Sequence, residues 1–257
     1  MAVPPLAERL RAGETLISGW STLPEPLVAE AVARAGFDCV VIDLQHGLHD
    51  TGSVVRSIGA IALAGKPALV RVPVGDNALA SRALDMGAEG VIAPMINTAA
   101  DARALVAATR YPPVGERSWG PNRAMALSGR EPEQHLASAN RSALVFAMIE
   151  TSRALEALDS ILAVEGLDGV FVGPSDLSVT LSNGARIAAL DSSLVDGPIR
   201  TIAERAGAAG LAAGIFAANA ERAAAFRSFG YRLIAVASDQ AYLASGARAI
   251  LAALGRS

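Results

Sequence analysis

Glu150 and Asp176 each stand where an apolar run stops. ALVFAMI at 143–149 leads into Glu150-Thr151, and GVFV at 169–172 leads into Gly173-Pro174-Ser175-Asp176. A carboxylate at the end of a buried strand is costly unless it meets a cation or a hydrogen-bond donor. Two of them at the ends of consecutive strands suggest one hard divalent cation held between them, with its other positions open to water and substrate oxygens. Mg2+ or Mn2+ suits such an all-oxygen set. The alternative is that each carboxylate caps the helix that follows it. His46 follows the apolar run 38–43, where it could act as a general base near neutral pH or be a solvated loop histidine. The solvated reading is also given to His49, three residues on, and to His135 in the polar stretch EPEQHLASAN. Arg71 ends a run that otherwise reads as buried, so its guanidinium needs an anion. Asp43 could supply it, and so could a substrate carboxylate or a developing enolate oxygen.

These residues must be positioned by strands. Short β-branched runs at 15–20, 38–43, 67–72, 89–94, 144–149, 169–172, 211–216 and 231–236 alternate with helix-period segments at 25–35, 53–64, 76–86, 99–109, 153–163, 196–208, 219–228 and 239–254. Eight such units over 257 residues predict a single (β/α)8 TIM barrel spanning 1–257. A doubly wound sheet is less suitable, because no Gly-rich nucleotide fingerprint follows the first strand. In a TIM barrel the C-terminal strand ends form the active rim. Trp20, Asp43 through Gly47, Arg71, Pro94-Met95, Glu150 and Gly173 through Asp176 all fall there, with Phe216-Ala217 and Ala237-Ser238 closing the circle. Lys66 is the only lysine, and it precedes its strand on the opposite face. A Schiff-base lysine must stand at the reacting rim. Carbonyl chemistry here therefore needs a metal as Lewis acid. Two connections, 110–143 and 176–195, are longer than the rest, and long loops in compact folds are often functional.

Composition narrows the class. Hydrophobic residues make up 52% and charged residues 18%, enough for a sizeable core. A net charge of −3 gives no electrostatic footprint for nucleic acid or for an anionic membrane. No apolar stretch of about 18 residues predicts a membrane span. Cys39 is the single cysteine, which fits a reducing cytoplasm. The N-terminus lacks the basic and apolar regions of a signal peptide and reads as mature protein.

DLQHG at 43–47, LVRVP at 69–73, LDMGAEGVIAPMI at 84–96, RYPPVGERS at 110–118, MIET at 148–151 and VEGLDGVFVGPSDLS at 164–178 together resemble the HpcH/HpaI aldolases. These are metal-dependent class II pyruvate aldolases on a TIM barrel, and the resemblance covers roughly residues 5–255. It implies reversible cleavage of 4-hydroxy-2-oxoacids to pyruvate or hydroxypyruvate and an aldehyde, through a metal-stabilised enolate. It implies Glu150 and Asp176 as ligands of Mg2+, Mn2+ or Co2+, with no nucleotide cofactor. His46 would be the general base, acting through a metal-bound water or directly, and Asp85 would pair with it. Arg71 would stabilise the enolate oxygen. The N–H groups of Gly173 and Ser175 would hold the donor carboxylate, and Asp43 would order the metal's waters. Two positions depart from the family. Met148 replaces a glutamine that contacts pyruvate in many relatives, and Gln45 stands where some have glutamate. Both imply an altered donor or acceptor preference. The resemblance further implies a homohexamer, a trimer of dimers that exchange the C-terminal helix; 241–254 could be exchanged or be the barrel's own last helix. The acceptor is expected to contact the 110–130 loop. An acyl-CoA lyase of the citrate or malyl-CoA type is a rival, and Arg110, Arg117, Arg123 and Arg130 are its candidate phosphate ligands. A non-catalytic oxoacid-binding barrel is the other.

Overall fold

The eight apolar runs all form strands. The computed structural model describes residues 4–256. Residues 1–3 and 257, on which the reading of the N-terminus partly rests, lie outside that range. The strands are β1 (Leu16–Ser21), β2 (Cys39–Asp43), β3 (Ala68–Arg71), β4 (Gly90–Ala93), β5 (Leu144–Ile149), β6 (Gly169–Val172), β7 (Ala212–Ala217) and β8 (Leu233–Val236). They pair in parallel in chain order, and β8 returns to β1, so the sheet is a closed barrel.

The helices in chain order are α1 (Leu6–Arg11), α2 (Pro26–Arg34), α3 (Thr51–Leu63), α4 (Asn77–Asp85), α5 (Ala99–Thr109), α6 (Asn122–Ser128), α7 (Pro132–Ser142), α8 (Ser152–Glu156), α9 (Leu158–Leu162), α10 (Pro174–Leu181), α11 (Ser192–Ala208), α12 (Ala220–Ser228) and α13 (Asp239–Ala253). The segment expected as one helix at 153–163 divides into α8 and α9 at Ala157. Both long connections carry helices of their own. The sequence reading placed no helix at α1, which is only six residues long.

Two cores follow from the strand period of two. One set of side chains faces the surrounding helices, among them Val40, Ile42, Val70, Val91, Val145, Val170, Ile215 and Ile234. The alternate set fills the barrel: Leu16, Cys39, Val41, Leu69, Ile92, Leu144, Phe146, Met148, Phe171 and Leu233. Leu6, Ala7 and Leu10 of α1 join this inner set and plug the barrel floor. Burying each large apolar side chain contributes roughly 1.5–3 kcal/mol, which offsets the charged groups held above them. Burial pushes the Cys39 thiol up to about 12, so it packs as an uncharged apolar group.

The same alternation orients the rim. Two residues beyond an inward position, the chain faces inward again. Asp43 follows Val41, Arg71 follows Leu69, Glu150 follows Met148 and Gly173 follows Phe171. Register then sets neighbours: Asp43 lies directly opposite Arg71, and Ile149 opposite Val172, so Glu150 is level with Gly173.

α13 starts against α2 and β1, and only its first residue, Asp239, is buried. Leu243, Ile250, Leu251 and Leu254 face outward. No helix among the described residues is long and apolar enough to cross a membrane.

Candidate active site

Arg71 is clamped by Asp43. Its Nε donates to Asp43 Oδ1 at 2.9 Å and its Nη2 to Asp43 Oδ2 at 2.6 Å. Trp20 Nε1 donates to the same carboxylate at 3.3 Å, and the Trp20 ring lies 4.9 Å from the guanidinium carbon. The amides of Gln45 and His46 donate to Asp43 Oδ1 at 3.0 and 3.2 Å. Burial alone would push the Asp43 carboxyl up, but the hydrogen bonds and charge of Arg71, helped by the two amides, more than offset it and hold it low. The bland partner for Arg71 is therefore present. Nη1 makes no hydrogen bond among the described residues and is left for another anion.

Glu150 is the anomaly. It is 2% exposed and makes no ion pair among the described residues. Its side chain accepts one hydrogen bond, from the Met95 amide to Oε2 at 3.0 Å. Burial is the main cause pushing its carboxyl up to about 7; the charge of Asp176 adds to the rise, and the Met95 amide and Arg71 oppose it. Asp176, by contrast, is exposed at the mouth. Neither carboxylate is a helix cap. Thr151 caps α8, accepting from the Ala154 amide at 3.0 Å, and Asp176 lies inside the first turn of α10 without a capping bond. A buried carboxylate facing a second carboxylate, without a cation, is the environment that a hard divalent ion satisfies. Gly173 closes one side. A Cβ there would meet Glu150 Oε1 and come within 3.4 Å of Met148 Cε. Among the described residues no three His, Cys, Asp or Glu side chains gather around one point, so the protein would supply two carboxylates and leave the remaining positions open.

Gly173, Pro174 and Ser175 begin α10, whose first-turn N–H groups have no partner within the helix. The amide of Ser175 and the helix terminus thus offer an anion-binding edge beside Glu150. Met148 lies buried one inward layer below Glu150. Gln45 is half-buried, and its Oε1 is enclosed without a partner. His46 is exposed on the rim, held through its backbone amide. Trp20 packs edge-on to Phe216 with ring centroids 5.3 Å apart, and its ring centroid is 6.0 Å from that of Phe171, which forms an aromatic wall across the mouth.

Several expectations need correction. Asp85 does not join His46 within the chain. It ends α4, just before the start of β4, and so lies at the N-terminal face of the barrel. There it pairs with Arg117, whose Nη2 is 2.6 Å from Asp85 Oδ1. The 110–143 connection occupies that same face, because a helix-to-strand segment returns to the strand starts. The loop is therefore remote from the rim of its own barrel. Two of its four arginines are also committed: Arg110 is buried against the carbonyls of Asn140, Ala143 and Gly166 and the carboxylate of Asp168. Arg117 is buried and lies over the Tyr111 ring. Arg110 and Arg117 are therefore not free to line a phosphate-binding groove. His49 and His135 are not solvated. His49 is buried between Ser21 and Ser53, and His135 packs edge-on to Trp119.

Some participants carried no sequence signal. Met95 adopts a left-handed backbone at φ 57, which turns its amide toward Glu150. Asn97 supports the turn, donating to the Met95 carbonyl at 2.9 Å while Thr151 bonds to its amide oxygen. A methionine at positive φ is uncommon and invisible to propensity. Trp20 and Met95 were legible as rim positions, but their bonds to Asp43 and Glu150 were not.

Residues 17–245 match the family model described as HpcH/HpaI aldolase/citrate lyase. The chain is 41% identical over 240 residues to a hydroxypyruvate/pyruvate aldolase of Rhizorhabdus wittichii, covering 93% of this chain and 94% of that one. It is 36% identical to a 2-keto-3-deoxy-L-rhamnonate aldolase of Salmonella gallinarum, over 91% of this chain and 87% of the other. Among solved structures, an HpcH/HpaI aldolase/citrate lyase family protein from Burkholderia cenocepacia superposes with a TM-score of 0.85 at 34% identity, covering 97% of this chain and 98% of that one.

Proposed function

This chain belongs to the HpcH/HpaI aldolase/citrate lyase family, and from that premise we propose a class II aldolase that reversibly cleaves 4-hydroxy-2-oxoacids to pyruvate or hydroxypyruvate and an aldehyde. The observation that carries the reading is Glu150: a buried carboxylate, pushed up to about 7, with no cation of its own and a second carboxylate beside it. Glu150 and Asp176 would hold a divalent cation, of which Mg2+, Mn2+ and Co2+ are the candidates. When bound, the cation supplies a Lewis acid for the 2-oxo group of the donor.

The chain's own residues do the rest. The Gly173 and Ser175 amides at the start of α10 bind the donor carboxylate. Arg71, held rigid by Asp43, presents Nη1 to the oxygen on which negative charge builds as the C3–C4 bond breaks. His46 takes the proton from the 4-hydroxyl in that step and then delivers it to C3 of the enolate. Met148 and the aromatic wall of Trp20 and Phe216 exclude water from the reacting carbons. Met148 offers a thioether instead of a hydrogen-bonding amide, which favours donors recognised by shape.

EDTA is expected to abolish activity, and Mn2+, Mg2+ or Co2+ to restore it. Borohydride added with pyruvate should trap no adduct. A covalent adduct, or full activity in EDTA, would overturn the reading. Gly173→Ala gives a second check. The added methyl pushes Glu150 aside at a cost of about 1–3 kcal/mol, so Mn2+ affinity in a calorimetric titration should fall about tenfold with circular dichroism unchanged.

The reading extends to a cytoplasmic homo-oligomer, a hexamer built from dimers that exchange α13. The outward apolar residues Leu243, Ile250 and Leu251 of α13, with Leu254 just beyond it, support an assembly, and the lone, buried Cys39 suits a reducing compartment. Sedimentation would test the assembly.

A further inference from the structure

The His46 side chain makes no hydrogen bond among the described residues, yet the proposed reaction needs its ring in one place. What holds it must act through the strap 44–50. The near end is secured on Asp43 by the Gln45 and His46 amides. Beyond His46, the Leu48 amide donates to the Thr22 carbonyl at 2.8 Å, an approach that only glycine at 47 allows, because a Cβ there would strike the Asp43 carbonyl.

The strap then turns inward at His49, which is 8% exposed. Its Nε2 lies 3.2 Å from Ser21 Oγ at the end of β1, and its Nδ1 lies 3.2 Å from Ser53 Oγ in the first turn of α3. Behind Ser21 stands Asp239, 1% exposed, at the start of α13. Asp239 accepts from Ser21 Oγ at 3.3 Å, Thr22 Oγ1 at 2.6 Å, the Thr22 amide at 2.8 Å and the Leu23 amide at 2.9 Å.

The directions of these bonds follow from the groups. A carboxylate only accepts, so the Ser21 hydroxyl proton points to Asp239 and its oxygen is free to accept from His49 Nε2–H. That leaves Nδ1 bare to accept from the Ser53 hydroxyl, whose proton is shared with the Asp50 carbonyl at 3.0 Å and whose oxygen accepts the Asp50 amide at 2.9 Å. The imidazole is thus held at both ring nitrogens, between a strand-end anchor at Ser21 and a helix-start anchor at Ser53.

We propose that His49 is a positioning residue. With Ser21 and Asp239, it latches the strap to β1, α3 and α13 and thereby sets the orientation of His46. This inference rests on the proposed role of His46, but the latch itself can be measured independently.

The experiment uses full-length protein loaded with Mn2+ and follows exchange of pyruvate methyl protons with deuterium, alongside the pyruvate KM and amide exchange of residues 44–50. His49→Leu is expected to lower the exchange kcat at least about tenfold, as misplacement of a reacting group does. KM and Mn2+ affinity should change by less than about twofold, because neither depends on His46. Amide exchange across 44–50 should rise about tenfold, with the strands unchanged. Ser21→Ala should act in the same direction if His49→Leu fails to fold, and His49→Gln, which can bridge both hydroxyls, should recover most of the rate. Loss of kcat and KM together, or a loss accounted for by unfolded protein, would overturn the proposal. If the unaltered protein exchanges no pyruvate protons, the reading of the site fails instead, and unchanged amide exchange of 44–50 in His49→Leu would then sink the latch by itself.

Discussion

Replacing Glu150 with glutamine is expected to lower aldol turnover by about a thousandfold, the scale of losing a metal's charge stabilisation at the reacting oxygen. Glutamine keeps the shape and can still accept from the Met95 amide, so the fold should survive. What it removes is the negative charge. The same variant makes a thermodynamic prediction with a definite sign. Glu150 has its carboxyl raised from 4.5 to about 7 by burial. Between these values the folded metal-free protein holds a proton that the unfolded chain has released. Its stability should therefore fall as pH rises through that window, by about 3 kcal/mol in total. Glu150→Gln has no proton to lose, so it should be more stable than the unaltered protein in EDTA at pH 8 and show little difference at pH 4.5. Mn2+ should reverse the order at pH 8 by stabilising only the unaltered protein. Thermal melts of both proteins at the two pH values, with EDTA and with Mn2+, test every part. A variant that binds Mn2+ as tightly as the parent would remove Glu150 from the metal site.

Arg71→Lys is expected to reduce kcat by about a hundredfold, in the range for losing one preorganised donor to a developing charge. Lysine keeps the charge but not the planar fork. It can satisfy one oxygen of Asp43 or reach the substrate, but cannot do both as Nε, Nη2 and Nη1 do. Arg71→Met should cost more in stability than in any surface pair, about 3–5 kcal/mol, because Asp43 is then buried as an uncompensated charge. With Arg71 gone, burial dominates, the Asp43 carboxyl rises, and stability should fall with increasing pH. The double variant Arg71→Met/Asp43→Leu should regain most of the stability and none of the activity. Urea unfolding and initial-rate kinetics on the single and double variants separate the two roles. Recovery of activity in the double variant would contradict the assignment of Arg71.

The rim residues were legible because strand alternation is a local property. Apolar runs ending in Asp43, Arg71, Glu150 and Gly173 through Asp176 announce strands whose next inward position is polar, and eight such units announce a closed barrel. Even the cross-strand pairing of Asp43 with Arg71 was among the expected partners, since adjacent parallel strands bring their ends level.

Other features depended on contacts between distant segments. Asp85 was assigned to His46 by resemblance, and the fold places it with Arg117 at the opposite face. His49 looked solvated because it lies past His46 in the loop after β2, and His135 because its stretch is polar. Their burial comes from β1, α13 and the 110–121 loop, which lie tens to hundreds of residues away in the chain.

The sequence by itself determined the barrel, the faces of its strands and the charged groups on its rim, because period-two patterning is written in neighbouring residues. Only the tertiary structure decided which charges are compensated. Asp43 meets Arg71 and stays ionised, whereas Glu150 meets a backbone amide and Asp176 and is driven toward its neutral form. A carboxylate's state depends on burial and on every nearby charge, and both are set by packing across the whole chain.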